Sequence, residues 1–289
     1  MKILITGILL VCLNTISGST FDAITKYLST NNYKWYHYYS IGGTAAIFVL
    51  FIFLNFIGGI KKHIFLKQTN YYLLPIFRGI FFIPILLIVF LSLKHVPINI
   101  FTMLLMTSPF FLLIFAKVIL NEKLNFISWF AIIIGFCGVL IVLRPNLSNL
   151  NIFIFMILFV AIYNAFNFTI VSKYSYIATS YGFTFYQYVP FIIFSYFFFI
   201  FDPFIPSLKE LVLFTSSGIV VMISMWAWNA AYHIAGKYSS VISPFFFTQI
   251  IWGTLYGKIF FEESFDSIAF IGIIIIVISG TIAIYNRNK

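Results

Sequence analysis

Charge is scarce in this chain. Of 289 residues, 17 are Lys or Arg and seven are Asp or Glu, which is 8% in all. A water-soluble domain usually carries about 25%. The shortage leaves too little polar surface to cover a water-facing globule. The acids are isolated or sit at the ends of apolar runs, so no aspartate-rich motif for metal–pyrophosphate binding is present. The two cysteines, Cys12 and Cys137, lie in apolar runs and do not imply a disulfide framework. His37, His63, His95 and His233 show no ligand spacing, and there is no glycine-rich nucleotide loop. No metal and no cofactor are therefore expected. The net charge of +10 is not gathered into a basic stripe, so nucleic acid is not an expected partner.

What fills the chain is apolar. Hydrophobic residues make up 62%. A spanning helix needs about 20 of them in a row. Ten segments fit: 3–25, 38–60, 71–93, 96–120, 126–143, 151–172, 181–201, 211–235, 239–261 and 266–285. The expected class is an all-α integral membrane protein in a lipid bilayer. Lys2 and the run to Cys12 have the look of a signal peptide. The run continues to Phe21 without a clear small-residue cleavage site, so it is read as a span that is not removed. Connections are short, and none could hold a soluble domain. With the N-terminus cytoplasmic, eleven Lys and Arg fall on the inner side and six on the outer. That bias predicts both termini in the cytoplasm; the expected location is the cell inner (cytoplasmic) membrane.

The two halves end alike. Ser108-Pro109-Phe110-Phe111 leads to Asn121-Glu122, then to Gly138 and Arg144; Ser243-Pro244-Phe245-Phe246 leads to Glu262-Glu263, then to Gly280 and Arg287. Glu122 and Glu263 thus recur at matching positions, as do Pro109 and Pro244. A duplicated unit in an apolar chain is a mark of secondary transporters. The expected repeats are 1–146 and 147–289, five spans each. An odd count per repeat makes them inverted across the membrane. The paired glutamates read as helix caps, an architectural role. The paired prolines read as hinges or as bends that line a cavity.

Polar groups at membrane depth cost free energy and are functional candidates. Asp22 and Lys26 share a helix face as an ion pair at the outer interface, solvated or lining the mouth of a cavity. Arg78 lies about 10 Å into its span. It either snorkels to the headgroups or attracts a carboxylate or phosphate in a pathway. Tyr163, Asn164, Asn167, Trp226, Asn229, Gln249 and Trp252 add hydrogen-bonding and stacking groups to three spans. Each could be glue between helices; as a set they suggest a partly polar cavity.

The stretches Ser108-Pro109-Phe110, Glu122-Lys123-Leu124, Gly135 to Val139 and Leu143-Arg144-Pro145 resemble the first-half ending of EamA-type proteins in the drug/metabolite transporter superfamily. Ser243-Pro244-Phe245, Thr248-Gln249, Trp252-Gly253, Phe261-Glu262-Glu263 and Ser279-Gly280 resemble that family's closing pattern, and Phe21-Asp22-Ala23 with Arg78-Gly79 resembles patterns near its first and third spans. One departure is Tyr38 to Gly42, which lacks the Arg that many relatives carry there. The resemblance implies ten helices in two inverted repeats around a central cavity, with no bound cofactor. It implies a permease for a small metabolite: an amino acid or an S-adenosylmethionine-like zwitterion. Import, export and a homodimer all stay open. The competing class is an integral membrane enzyme acting on a lipid or isoprenoid, which the isolated acids disfavour. Short loops disfavour a receptor subunit.

Overall fold

The structure is a computed structural model that describes residues 2–96, 98–123, 126–143, 152–262 and 267–287. It is 88% helix, with no strand among the described residues. The helices are α1 (Lys2–Thr30), α2 (Trp35–Phe56), α3 (Ile60–Ile64), α4 (Leu73–His95), α5 (Ile98–Leu105), α6 (Ser108–Ile119), α7 (Phe126–Leu143), α8 (Ile152–Lys173), α9 (Ser180–Phe201), α10 (Leu208–Ala235), α11 (Ser239–Ile242), α12 (Gln249–Phe261) and α13 (Ser267–Arg287). Among the described residues, seven helical runs are long and apolar enough to cross a membrane, one of them the 54-residue run Leu208–Phe261.

Polarity runs inside out. Phe48, Phe56, Phe81, Ile193, Ile200 and Phe201 are exposed, while Asn14, Asp22, Arg78, Asn167, Gln187 and Asn229 are buried. Water would penalise such a surface, and lipid tails do not. The chain is a multi-pass membrane protein.

Each helix is placed by its contacts. α1 packs on α10, α4 and α12; α2 packs on α10 and α9; α4 on α9 and α8; α6 on α8; α7 on α13. Small residues permit the closest approaches. A Cβ on Gly79 of α4 would lie 2.2 Å from the Tyr186 carbonyl oxygen of α9.

Two rims result. At one, the Tyr33 hydroxyl donates to Glu210 Oε1 at 2.8 Å, and Lys34 Nζ meets Asp202 Oδ2 at 2.5 Å. Ser207 and Glu210 form a capping box that starts α10 there. At the other, the Tyr186 hydroxyl donates to the Ile64 carbonyl at 2.7 Å, and His233 Nε2 lies 3.1 Å from the Ala178 carbonyl. Helices α2, α9 and α10 run between these rims, which sets their directions.

Proline sets the helix breaks. The segment expected as one helix at 96–120 is two, α5 and α6, parted at Met106–Thr107. Pro109 has no N–H for the Leu105 carbonyl. The Ser108 hydroxyl takes that carbonyl instead, at 2.7 Å. Pro244 likewise opens a 3-10 stretch, Ser243–Thr248, ahead of α12. The two prolines therefore start new helical pieces, where a missing N–H costs little. The prolines inside unbroken helices are Pro84 and Pro190.

Candidate functional site

A cavity of about 130 Å³ lies between α1, α4, α5, α8, α10 and the start of α12. Asp22, Asn164 and Gln249 line it, as do Asn14, Ser224 and Trp228. Asp22 is 7% exposed, and Gln249 Nε2 donates to its Oδ2 at 3.2 Å. The expected Asp22–Lys26 pair is not what forms: Asp22 turns inward to Gln249, and the Lys26 ammonium stands over the Phe261 ring, 5.8 Å from its centroid. Burial of the Asp22 face against α12 is the physical reason. Asn14 Nδ2 donates to the Ser224 carbonyl at 3.0 Å and to its hydroxyl at 2.8 Å, tying α1 to α10.

One wall is aromatic. Phe168 meets Trp228 edge-on at 4.4 Å and stacks on Phe246 at 5.1 Å. All three rings line the cavity. Such a wall suits a flat apolar or cationic group.

One helical turn from the cavity lies a second polar cluster. Arg78 of α4 is 7% exposed. Its Nε donates to Asn167 Oδ1 of α8, and its Nη2 donates to Gln187 Oε1 of α9 at 3.2 Å and to Asn229 Oδ1 of α10 at 3.1 Å. Asn229 Nδ2 donates in turn to Thr184 Oγ1 at 3.0 Å. The guanidinium stands over the Phe183 ring at 5.0 Å, and the Tyr163 hydroxyl donates to the Arg78 carbonyl at 3.1 Å. Arg78 does not snorkel; three amide oxygens hold it in the interior.

The sequence-derived candidates thus separate into groups. Asp22, Asn164 and Gln249 share the cavity; Arg78, Tyr163, Asn167 and Asn229 share the adjoining cluster. Trp226 does neither: its ring stacks on Tyr181 at 5.5 Å, and Trp228 takes the cavity face. Trp252 is half-buried and lies outside the cavity lining. Glu122 accepts from the Ser240 backbone N–H at 3.2 Å and from its hydroxyl, and so binds the start of α11. Glu263 lies outside the described residues. Gln187, Thr184, Asn14 and Ser224 were not singled out from sequence. An isolated amide in a Phe- and Tyr-rich span, as at Gln187, is the signal that could have found the first.

The histidines serve as joints. His37 Nε2 lies 2.8 Å from the Asp202 carbonyl, and His63 Nδ1 lies 3.2 Å from Thr179 Oγ1. No group of three or more His, Cys, Asp or Glu suited to a metal occurs among the described residues.

Comparison with known proteins gives one consistent direction. Residues 5–144 match the EamA-like transporter family. An S-adenosylmethionine uptake transporter of Rickettsia conorii is 26% identical over 151 residues, 52% of this chain and 49% of that protein. The transporter of the same description from Rickettsia bellii is 27% identical over 139 residues, 48% of this chain and 46% of that one. The chain spans about half the length of the curated relatives it matches. A solved crystal structure superposes with a TM-score of 0.72 at 14% identity, covering 100% of this chain and 99% of that one, so the fold is shared along the whole length. Residues 5–144, just under half of the chain, thus carry its likeness to the EamA-like transporter family.

Proposed function

We propose that the chain is a permease that moves a small polar zwitterion, an amino acid or an S-adenosylmethionine-like compound, across a bacterial cytoplasmic membrane. It works by alternating access and catalyses no chemical conversion. The observation that carries this reading is the cavity itself, where the buried Asp22 carboxylate and the Asn164 and Gln249 amides face the Phe168–Trp228–Phe246 wall. A cationic centre suits the carboxylate; a flat ring suits the wall. The curated relatives named as S-adenosylmethionine transporters agree with such a ligand.

The ten-span inverted arrangement, 1–146 against 147–289 with both termini cytoplasmic, is part of the proposal. Packing supports it. Numbering the expected spans in order, the first meets the eighth and the third meets the sixth; the second meets the eighth and the third meets the seventh; the fourth meets the sixth and the first meets the ninth. Each pair maps onto its partner when the halves are exchanged. The left-handed residues Asn121 (φ 53°) and Glu262 (φ 55°) stand just before Glu122 and Glu263, the paired acids. The run Leu208–Phe261 would be about 80 Å long as one helix, against a hydrocarbon core of about 30 Å. Its breaks at Gly236–Tyr238 and Ser243–Thr248 suit two crossings.

Ligand pockets usually hold about 300–1,000 Å³. The cavity is smaller, which on this reading is a contracted state that rocking of the repeats must widen. A metabolite screen by thermal shift tests the proposal, since a ligand stabilises the state it binds. A zwitterion should raise the melting temperature, and Asn164→Ala should remove that rise. If binders shift wild type and Asn164→Ala equally, the cavity is not the pathway.

A further inference from the structure

The Arg78 cluster has a surplus of donors. Each amide oxygen in it already accepts: Asn167 Oδ1, Gln187 Oε1 and Asn229 Oδ1 all face the guanidinium. What remains is Arg78 Nη1, Asn167 Nδ2 and Gln187 Nε2, three buried nitrogens with no hydrogen-bond partner. Buried polar groups are nearly always paired, so three orphans in one cluster call for an explanation. Each orphan is an N–H donor, and one carries a full positive charge. No carboxylate among the described residues contacts the guanidinium; its neighbours are neutral amides, the Phe183 ring and Tyr163. A buried cation without a counter-charge is costly.

Position matters as much as composition. Phe82, Asn164 and Met225 line the cavity. Each lies one helical turn from Arg78, Asn167 and Asn229 respectively. On all three helices the cluster lies on the same side of the cavity, toward the rim of His233 and Ala178. Asp22 lies on the cavity itself.

We propose that Arg78 Nη1, Asn167 Nδ2 and Gln187 Nε2 form a receptor for the carboxylate of the transported molecule. The proposal rests on the permease reading and adds an orientation: carboxylate toward Arg78, cationic centre toward Asp22. One guanidinium compensates one negative charge. A carboxylate therefore fits, whereas a phosphate dianion would bring a second charge with nothing opposite it. Gln187 acts as a specificity-determining residue, because it spends its oxygen on Arg78 and offers its N–H groups to the ligand.

The test uses the purified full chain in detergent, melted in sodium formate, sodium phosphate or sodium chloride at matched ionic strength. Formate should raise the melting temperature saturably, and phosphate and chloride should not. Gln187→Leu should weaken the apparent formate affinity by about tenfold, the loss expected for one charge-assisted hydrogen bond. Asn167→Asp gives the cluster its own carboxylate. It should melt higher than wild type without formate and stop responding to formate. If formate acts no differently from chloride on wild type, or if Asn167→Asp responds as wild type does, the receptor is refuted. The two readings fail separately. Formate stabilisation without uptake of any metabolite into liposomes keeps the receptor and removes the permease. Uptake with an unchanged KM after amidation of the substrate carboxylate keeps the permease and removes the receptor.

Discussion

Gly42 and Gly218 meet backbone to backbone: a Cβ on Gly218 would lie 1.9 Å from the Gly42 carbonyl oxygen. No side chain can be inserted there without parting α2 from α10. Gly218→Ala should therefore destabilise the fold by about 1–3 kcal/mol, the range for overpacking a tight contact. Gly253 is the control. Its nearest neighbour would be Thr102 Oγ1 at 3.8 Å, an ordinary contact. Gly253→Ala should be neutral or slightly stabilising, because alanine favours the helix. Thermal melting of both variants in detergent checks the contrast, and equal melting temperatures would contradict the packing.

The rim pair Lys34–Asp202 predicts a pH dependence. Asp202 is held below the usual aspartate range by its hydrogen bonds, first from Lys34 and then from Tyr36. A lowered folded value means that the contribution is present above the unfolded value, about 3.9, and is lost as pH falls through the folded one. The pair is exposed, so the effect is small. The melting difference between wild type and Asp202→Asn should persist at neutral pH and close only below about pH 4. A difference that closes near neutrality would assign it to another group.

Trp228 and Trp226 should behave oppositely. They are two residues apart, which on a helix is about 200° of rotation. Trp228 lines the cavity, and Trp226 stacks on Tyr181. Trp228→Ala should weaken ligand affinity by about tenfold, given what a buried ring contributes. Trp226→Ala should lower stability and leave affinity near wild type. Titration of any thermal-shift hit against both variants decides the matter.

Pro109→Ala and Pro244→Ala should cost little stability, because both prolines begin helical pieces. On the hinge reading each slows transport, and the two affect opposite gates. Melting temperature and uptake rate should then uncouple. Unchanged transport in both would leave them as static breaks.

Much of this was legible because membrane burial writes itself into composition. Helix α1, expected at 3–25, is Lys2–Thr30, and α9, expected at 181–201, is Ser180–Phe201. Arg78 and Asn167 stood out because polarity at that depth is rare. Rotation was not legible. The helices are apolar all round, so no stripe told which of Trp226 and Trp228 faces inward, or that Asp22 would turn to Gln249 and not to Lys26. Gln187 was hidden for a different reason. A single neutral amide among aromatic residues resembles helix glue until its partner, Arg78, is known.

The central claim is carriage of a zwitterion through the cavity that Asp22, Asn164 and Trp228 line. Uptake of labelled S-adenosylmethionine and amino acids into liposomes holding the purified chain tests it most directly. The account predicts saturable uptake without ATP, recovery of the label unchanged, and loss of most of the rate in Asp22→Asn and Asn164→Ala. Uptake no faster than in protein-free liposomes across the whole panel would contradict it, as would recovery of a chemically altered product.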